Sequence, residues 1–328
     1  MALSGSQDFT VTRDDIIKMS LQHIGVIGDG DTPTATQLTE GALYLNMLIK
    51  FWQSDDIQLW IRKTGYILPQ TITSLPAKIS LGAEGGHATN AYNFTTTSAA
   101  SSSGATTITV TSTTGISNTY NIGVELSDGT MQWTTVSGAP AGQVVTLAVA
   151  LTGNVASGAS VYCYQTKILR PVRILEAFRR SSSATLTSIS DTKLTPLSGN
   201  EYFDLSSKGS TGIPTSWYYD EVLGLSTSLH PGNGDFYLWP LFSNGDSLIV
   251  IRYTKIFDDF DGATNNAEFP QMWFLPLMVG LAWLLAAKNG IPLNERKTLH
   301  EEAEMLRQQT KAFDEELGSL FIQPSRER

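Results

Sequence analysis

The sequence predicts a mixed α+β protein: a helical bundle drawn from both chain ends beside an antiparallel β-sheet domain, with a small all-β module inserted. Three observations predict it. Apolar residues recur at three- and four-residue steps near both ends, as on one face of a helix. The middle carries short alternating and aromatic runs bounded by Gly, Pro and Asp, the pattern of strands and turns. Between about 83 and 166 the composition shifts to Ser, Thr and Gly.

The first helix is expected over about 12–25. Thr12 with acidic Asp15 three residues on makes a capping box, Ile16, Ile17, Leu21 and Ile24 follow, and Gly25 suits its end. A turn rich in Gly and Asp (28–33) leads to a second box, Thr34 with Gln37. The helix it opens, about 36–54, has Leu38, Ala42, Leu45, Leu48, Ile49 and Trp52 on one face. Tyr44, Met47 and Phe51 widen that face, so burial against more than one neighbour is expected.

Residues 60–68 then read as a strand. The segment 83–166 offers short runs at 106–111, 121–126, 130–136, 144–149 and 160–164, with Asp128-Gly129 as a hairpin signal between two of them. Its opening, 85–104, leaves partial disorder or a flexible linker open, while the alternating Ile, Val and Leu favour a folded module. Further strands are expected at 170–178, 198–205, 212–219, 235–240 and 247–253, forming an antiparallel sheet with aromatic cross-strand pairs.

The last part is helical again. Pro270 suits the first turn of a helix to about 289, and Gly290 and Pro292 stop it. Asn294 is placed to cap a final helix, about 294–318, roughly 35 Å long. Leu299, Ala303, Leu306, Thr310, Phe313 and Leu317 form a narrow seam on it at alternating steps of four and three. The tail has no periodicity and ends basic, with Arg326 and Arg328. The domains are therefore drawn as 1–57 and 263–318 for the helices, 58–82 and 167–262 for the β domain, 83–166 for the module and 319–328 for an extended arm.

Composition narrows the function. The chain has 328 residues, 16% of them charged, against a usual quarter. Net charge −9 and a pI of about 4.9 argue against a protein that grips phosphates through a basic stripe. They leave room for a surface that DNA slides past. The single cysteine, Cys163, sits in an aromatic strand and reads as a buried thiol with no intrachain disulfide. Met1–Phe9 lacks a basic segment followed by an apolar one, so no signal peptide is expected. The apolar run 272–287 is broken by Pro276 and Gly280 and falls short of the roughly 20 residues of a bilayer span, so no membrane partner is expected.

Catalytic patterns are missing. His23, His87, His230 and His300 make no ligand pair and read as lone surface residues. There is no nucleophile elbow and no Walker loop. Asp258, Asp259 and Asp261 cluster near Gly262, which can suit a hard cation or a hydrolase pair, but their neighbours Phe257 and Phe260 read as a loop between elements. Arg170, Arg173, Arg179 and Arg180 form the one dense basic cluster, facing either solvent, an acidic partner or DNA. Trp133, Trp217 and Trp239 suit either a strand core or a sugar platform. Neither a cofactor nor a metal is expected.

The order of segments resembles the head-to-tail adaptor family of short-tailed bacteriophages, also described as packaged-DNA stabilisation or head-completion proteins. The residues that carry the resemblance are 24–33 (Ile-Gly-Val-Ile-Gly-Asp-Gly-Asp-Thr-Pro), 43–47 (Leu-Tyr-Leu-Asn-Met) and 51–55 (Phe-Trp-Gln-Ser-Asp). In the middle they are 170–174 (Arg-Pro-Val-Arg-Ile), Glu201, Tyr202, Lys208, 212–214 (Gly-Ile-Pro), 217–219 (Trp-Tyr-Tyr) and 238–240 (Leu-Trp-Pro). Near the end, 269–273 (Phe-Pro-Gln-Met-Trp) opens an apolar helix. It covers roughly 10–80 and 165–318; the Ser/Thr-rich module departs from it.

The resemblance implies assembly rather than catalysis. Such adaptors form twelve-fold rings under the portal protein, extend the DNA channel without sequence-specific binding, retain packaged DNA and offer a docking surface to the next tail or nozzle protein. It places the chain in the virion neck, assembled in the host cytoplasm. An arm at Phe321, Ile322, Pro324, Arg326 and Arg328 is expected to reach the portal. Leu299, Leu306, Phe313 and Leu317 are expected to pack within the bundle or against a neighbouring subunit. Two other readings stay open: a carbohydrate- or receptor-binding tail protein built on the β module, and a hydrolase using Asp258, Asp259 or Asp261.

Overall fold

The computed structural model describes residues 5, 8–54, 61–69, 78–82, 85–89, 91–181, 190–221, 233–242, 247–266 and 268–313. It is 29% helical and 31% strand, a mixed α+β protein. The described residues divide into two compact units, one drawn from 1–61 and 257–328 and the other from 62–256.

The first unit is helical: α1 (Arg13–His23), α2 (Ala35–Gln53), and, near the other end of the chain, an apolar helix and a long final one. Both N-terminal capping boxes close. Asp15 N–H donates to Thr12 Oγ1 and Thr12 N–H to Asp15 Oδ2 (3.3 and 3.2 Å); Gln37 N–H donates to Thr34 Oγ1 and Thr34 N–H to Gln37 Oε1 (3.3 and 2.8 Å). Each box satisfies two backbone donors that would otherwise lack partners at a helix start. α1 and α2 approach so closely at Gly41 that a Cβ there would sit 2.6 Å from Ile17 Cγ2.

The second unit is mostly strand. Its first part holds β1 (Arg62–Ile67), β2 (Lys78–Leu81), β3 (His87–Thr89), β4 (Asn93–Thr96), β5 (Thr107–Thr109), β6 (Asn121–Glu125), β7 (Met131–Thr135), β8 (Val144–Thr146) and β9 (Ser160–Tyr164). Its second part holds β10 (Arg173–Ser181), β11 (Asp191–Lys193), β12 (Thr195–Pro196), a short helix α3 (Gly199–Asp204), β13 (Thr211–Gly212), β14 (Ser216–Asp220), β15 (Gly234–Trp239), β16 (Leu241–Phe242) and β17 (Ser247–Thr254). Beyond it, α4 (Phe274–Lys288) and α5 (Leu293–Phe313) complete the helical unit.

Two sheets, ordered β11-β10-β17-β1-β3 and β12-β14-β15-β2, share one core of Ile67, Ile79, Leu81, Ala177, Trp217, Phe236, Ile249 and Ile251. The expected aromatic cross-strand pairs are present: Tyr218 opposite Tyr237 and Tyr219 opposite Phe236. The sheets are not wholly antiparallel, because β12 pairs with β14, and β13 with β16, in parallel.

Between 93 and 164 a further sheet, β4-β9-β6-β7, and the pair β5-β8 enclose a separate core of Ile108, Val110, Ile122, Val124, Val145, Leu147 and Val161. The turn from β6 to β7 uses Gly129 at φ +81°, a backbone conformation that glycine takes without steric cost. A cluster of Leu68, Ala88, Tyr162 and Tyr164, flanked by Tyr66 and Trp133, joins this part to the neighbouring sheet. Cys163 points into the core of Ile122 and Val161, buried and reduced, with burial pushing its thiol up to about 12.

Several expectations change. The stretch 198–205 is not a strand. Ser198 and Glu201 form a third capping box (Ser198 N–H to Glu201 Oε2, 2.7 Å; Glu201 N–H to Ser198 Oγ, 3.3 Å), and α3 follows. The stretch 85–104 is not disordered over its described residues: β3 joins the five-stranded sheet beside β1, and β4 pairs with β9. The final helix begins before Asn294, since Arg296 N–H donates to the Pro292 carbonyl. Phe257 and Phe260 belong to the core of the helical unit, so 257–262 sits with the helices rather than with the β domain.

Two outcomes are expected of this packing. Gly41→Ala gains helix propensity, worth about 1 kcal/mol, yet should lower the unfolding free energy by about 1–3 kcal/mol because the new methyl overpacks Ile17; urea denaturation followed by circular dichroism measures it. The Cys163 thiol should resist Ellman's reagent in the native protein and react in full once denatured.

Candidate assembly surfaces

In the helical unit the geometry is set by α4, which has no polar face. Phe274, Leu277, Gly280, Leu281 and Leu285 are among its buried residues, and α1, α2 and α5 all pack against it. By length and composition 271–288 could cross a membrane, but 56% of that stretch is buried inside the protein's own fold. Ser20 of α1 is buried and donates from Oγ to the Ile16 carbonyl (2.8 Å) and the Met278 carbonyl (2.9 Å), which ties α1 to α4. Lys288 at the end of α4 pairs with Glu40 of α2.

The seam of α5 turns toward this core. Ala303 is buried, and Leu299 and Leu306 are partly buried. Arg307 lies on the same side, with its guanidinium 6.0 Å from the centroid of the Trp52 ring, and burial lowers its pKa. Leu299 and Leu306 thus lie on the side of α5 that carries Ala303, each with part of its surface left open. The side chain of Phe313, and Leu317 with the arm residues Phe321, Ile322, Pro324, Arg326 and Arg328, lie outside the described residues.

α2 departs from expectation. Its buried face is Ala42, Leu45, Leu48, Ile49 and Trp52. Met47 and Phe51, expected to be covered, are 56% and 67% exposed, and Leu43 is 61% exposed. Spaced four apart, these three make a continuous apolar ridge on the side turned away from α4. Periodicity had identified a wide apolar face, but the neighbours within this chain cover only one side of it.

Beside the ridge runs the loop 257–261. Lys50 donates to the Phe257 carbonyl (2.6 Å) and pairs with Asp259 (2.8 Å). Asn46 bonds both backbone groups of Phe260 (Oδ1 from N–H, 2.9 Å; Nδ2 to the carbonyl, 3.4 Å). Asp261 accepts from Asn265 Nδ2 (2.6 Å). Asp259 thus braces the loop against α2 while Asp261 closes the turn onto Asn265, and Asp258 and Glu268 are exposed around a hollow of about 440 Å³. Among the described residues no group of three or more His, Cys, Asp or Glu is placed to hold a metal ion.

A second hollow, about 280 Å³, lies between α4 and α5. Trp283, Leu284, Ala287 and Leu293 supply its apolar wall, and Arg296, Lys297 and His300 its polar rim. The His300 ring stacks on Trp283 at 4.5 Å between centroids. No sequence signal marked this site, because its residues come from two helices and acquire a common wall only when these pack.

In the β unit two arginines of the basic cluster, Arg170 and Arg180, are engaged within the protein. Arg180 grips Asp191 with two bonds of 2.7 Å (Nε to Oδ1, Nη2 to Oδ2), and Arg170 Nη2 donates to the Glu221 carbonyl (2.5 Å). Glu176 receives Lys193 (2.7 Å) and Arg252 (3.0 Å) across neighbouring strands. Hydrogen bonds from these cations, Lys193 first for Glu176 and Arg180 for Asp191, hold both carboxyls below the usual range.

The three tryptophans do not form a platform. Trp217 is in the core, stacked on Phe236 at 5.8 Å; Trp133 lies against Tyr164 at 5.7 Å; and Trp239 Nε1 donates to the Ser207 carbonyl (3.0 Å). His87 is wholly buried, with Nδ1 accepting from Ile168 N–H (3.2 Å), so it is a core residue and not a surface one. Tyr202, Tyr218 and Tyr237 stack within 4.9–5.6 Å of one another beside exposed Phe203.

The chain matches no protein-family model, and no curated protein is significantly similar to it.

The Arg180–Asp191 pair gives a pH-dependent test. Because the folded-state carboxyl is depressed, its contribution is present above the unfolded value of about 3.9 and is lost as pH falls through the folded value. Asp191→Asn should cost less than about 1 kcal/mol at neutral pH, since both partners are partly exposed. It should also flatten the loss of stability on acidification, as read from denaturation midpoints at neutral pH and near pH 3.

Proposed function

We propose that this chain is a structural head-to-tail adaptor of a bacteriophage virion: it binds the portal as a ring of copies, extends the DNA channel, retains the packaged genome and presents a surface to the next tail protein. In this reading the helices from both chain ends form one bundle, the paired sheets make the β domain, and 83–166 is an inserted module with a role of its own.

One observation carries the reading. The segments that resemble the adaptor family fall on the frame of the two units: the turn between α1 and α2, α2 itself, the approach to β10, β14, β15 and the opening of α4. None falls in 93–164, which has its own core. A resemblance due to chance would have no reason to spare that part. The exposed ridge on α2 and the hollow between α4 and α5 add surfaces of the kind an assembling subunit uses. Net charge −9 fits a wall that DNA slides past rather than grips.

Mass photometry of the chain alone and mixed with its cognate portal tests the proposal. About twelve copies joining each portal is the expected outcome. A self-contained trimer that ignores the portal would overturn it and favour a receptor-binding role for the module, to be sought on a glycan array. Truncation after Gly318 should leave the monomer folded and weaken portal binding; an unchanged affinity would remove the arm from the contact.

A further inference from the structure

Two parts of the uncovered apolar surface of the helical unit differ in shape. One is convex: Leu43, Met47 and Phe51 stand along one side of α2 with more than half of each side chain in water. The other is concave: Trp283, Leu284 and Ala287 of α4 and Leu293 of α5 line the hollow of about 280 Å³, and Leu293 is 58% exposed. Ligand pockets run from about 300 to 1,000 Å³, so this hollow suits inserted side chains better than a free small molecule.

The charges at the two places differ in sign: beside the ridge Asp258 and Asp259 outnumber Lys50, which pairs with Asp259. Exposed Asp258 and Asp259 lie on the loop that Lys50 and Asn46 fasten beside the ridge. Arg296 and Lys297 stand at the rim of the hollow. An acidic flank next to an apolar ridge and a basic rim around an apolar hollow are complementary in both respects, and both are encoded in one chain.

We propose that the occupant of the hollow is a second copy of this protein: the α2 ridge of one copy seats between α4 and α5 of the next, with Asp258 and Asp259 facing Arg296 and Lys297. The inference rests on the ring reading and specifies its contact. Ridge and hollow share no residue, so the two copies use different surfaces, and such a head-to-tail contact repeats until rotation closes it. The ridge is only three side chains long, whereas a stable interface buries about 1,200 Å² or more. The contact is therefore weak between free subunits and becomes strong when a template holds many copies close together.

Sedimentation equilibrium of the full chain up to its solubility limit, with circular dichroism as the folding control, tests the proposal. The wild-type protein is expected to self-associate reversibly. Phe51→Ser and Leu293→Ser, both at exposed positions, should each weaken association at least about tenfold, equivalent to about 1.4 kcal/mol. Asp258→Lys and Lys297→Glu should each weaken it too, and mixing these two variants should restore one functional contact between unlike copies. If the serine variants associate as the wild type does, this surface is wrong while the ring reading stands. A wild-type chain that stays monomeric at every concentration also overturns the contact, and portal binding then judges the adaptor reading separately.

Discussion

Everything in the helical unit depends on covering α4. A helix apolar around its whole circumference cannot rest on one neighbour. Leu277, Leu281 and Leu285 together with Gly280 need partners in several directions, and the chain supplies α1 and α2 from one end and α5 from the other. The hydrophobic effect on this one element brings residues separated by more than 200 positions into the same core. The small residues fix how near the partners come: Gly280 admits Leu48 and Trp52, and Gly41 admits Ile17. The two C-terminal helices differ in kind. α4 is held chiefly by burial, with the Ser20 and Lys288 contacts added, whereas α5 is a largely solvated helix with Ala303 as its buried residue.

Electrostatics play a bracing part. Lys50 and Asn46 fasten 257–260 against α2, Lys288 joins Glu40, and Arg180 clasps Asp191. Partly exposed pairs of this kind add little stability each; what they do is fix register. Asp259 and Asp261 after β17 act this way, since a carboxylate engaged with a lysine and another receiving an asparagine amide stiffen a loop. The same holds for the arginines at 170 and 180, whose partners are in the neighbouring strands and loops.

Much of the fold was legible because its signals are local. The boxes at Thr12 and Thr34 mark helix starts through chemistry confined to four residues, and Asp128-Gly129 marks a turn for the same reason. Ser198 with Glu201 carries the same signal, but Tyr202 and Phe203 beside it give the stretch an aromatic pattern that also suits a strand. The parallel contacts of β12 and β13, and the capture of β3 by the sheet of β1, depend on residues distant in sequence, and no local pattern announces them. The candidate surfaces were half legible. Periodicity placed Met47 and Phe51 on an apolar face, but periodicity does not say whether anything lies opposite. The hollow of Trp283 and Leu293 belongs to two helices at once and had no signature. On α5, heptad-like spacing encodes one side of a helix, and Ala303 on that side is buried.

The strand pairings have a further consequence. Arg62, at the start of β1, lies opposite Thr254, at the end of β17, so the whole β unit begins and finishes on adjoining strands. Inside it, Asn93 of β4 lies opposite Cys163 of β9, and the segment with its own core likewise leaves and returns at one place. The chain is thus nested, each excursion closing beside its own point of departure. Such an arrangement lets an inner level lengthen, shrink or be exchanged while the outer level keeps its connectivity. Within 93–164, the buried contacts of Tyr162 and Tyr164 with Leu68 and Ala88 are the ones that any such change has to keep.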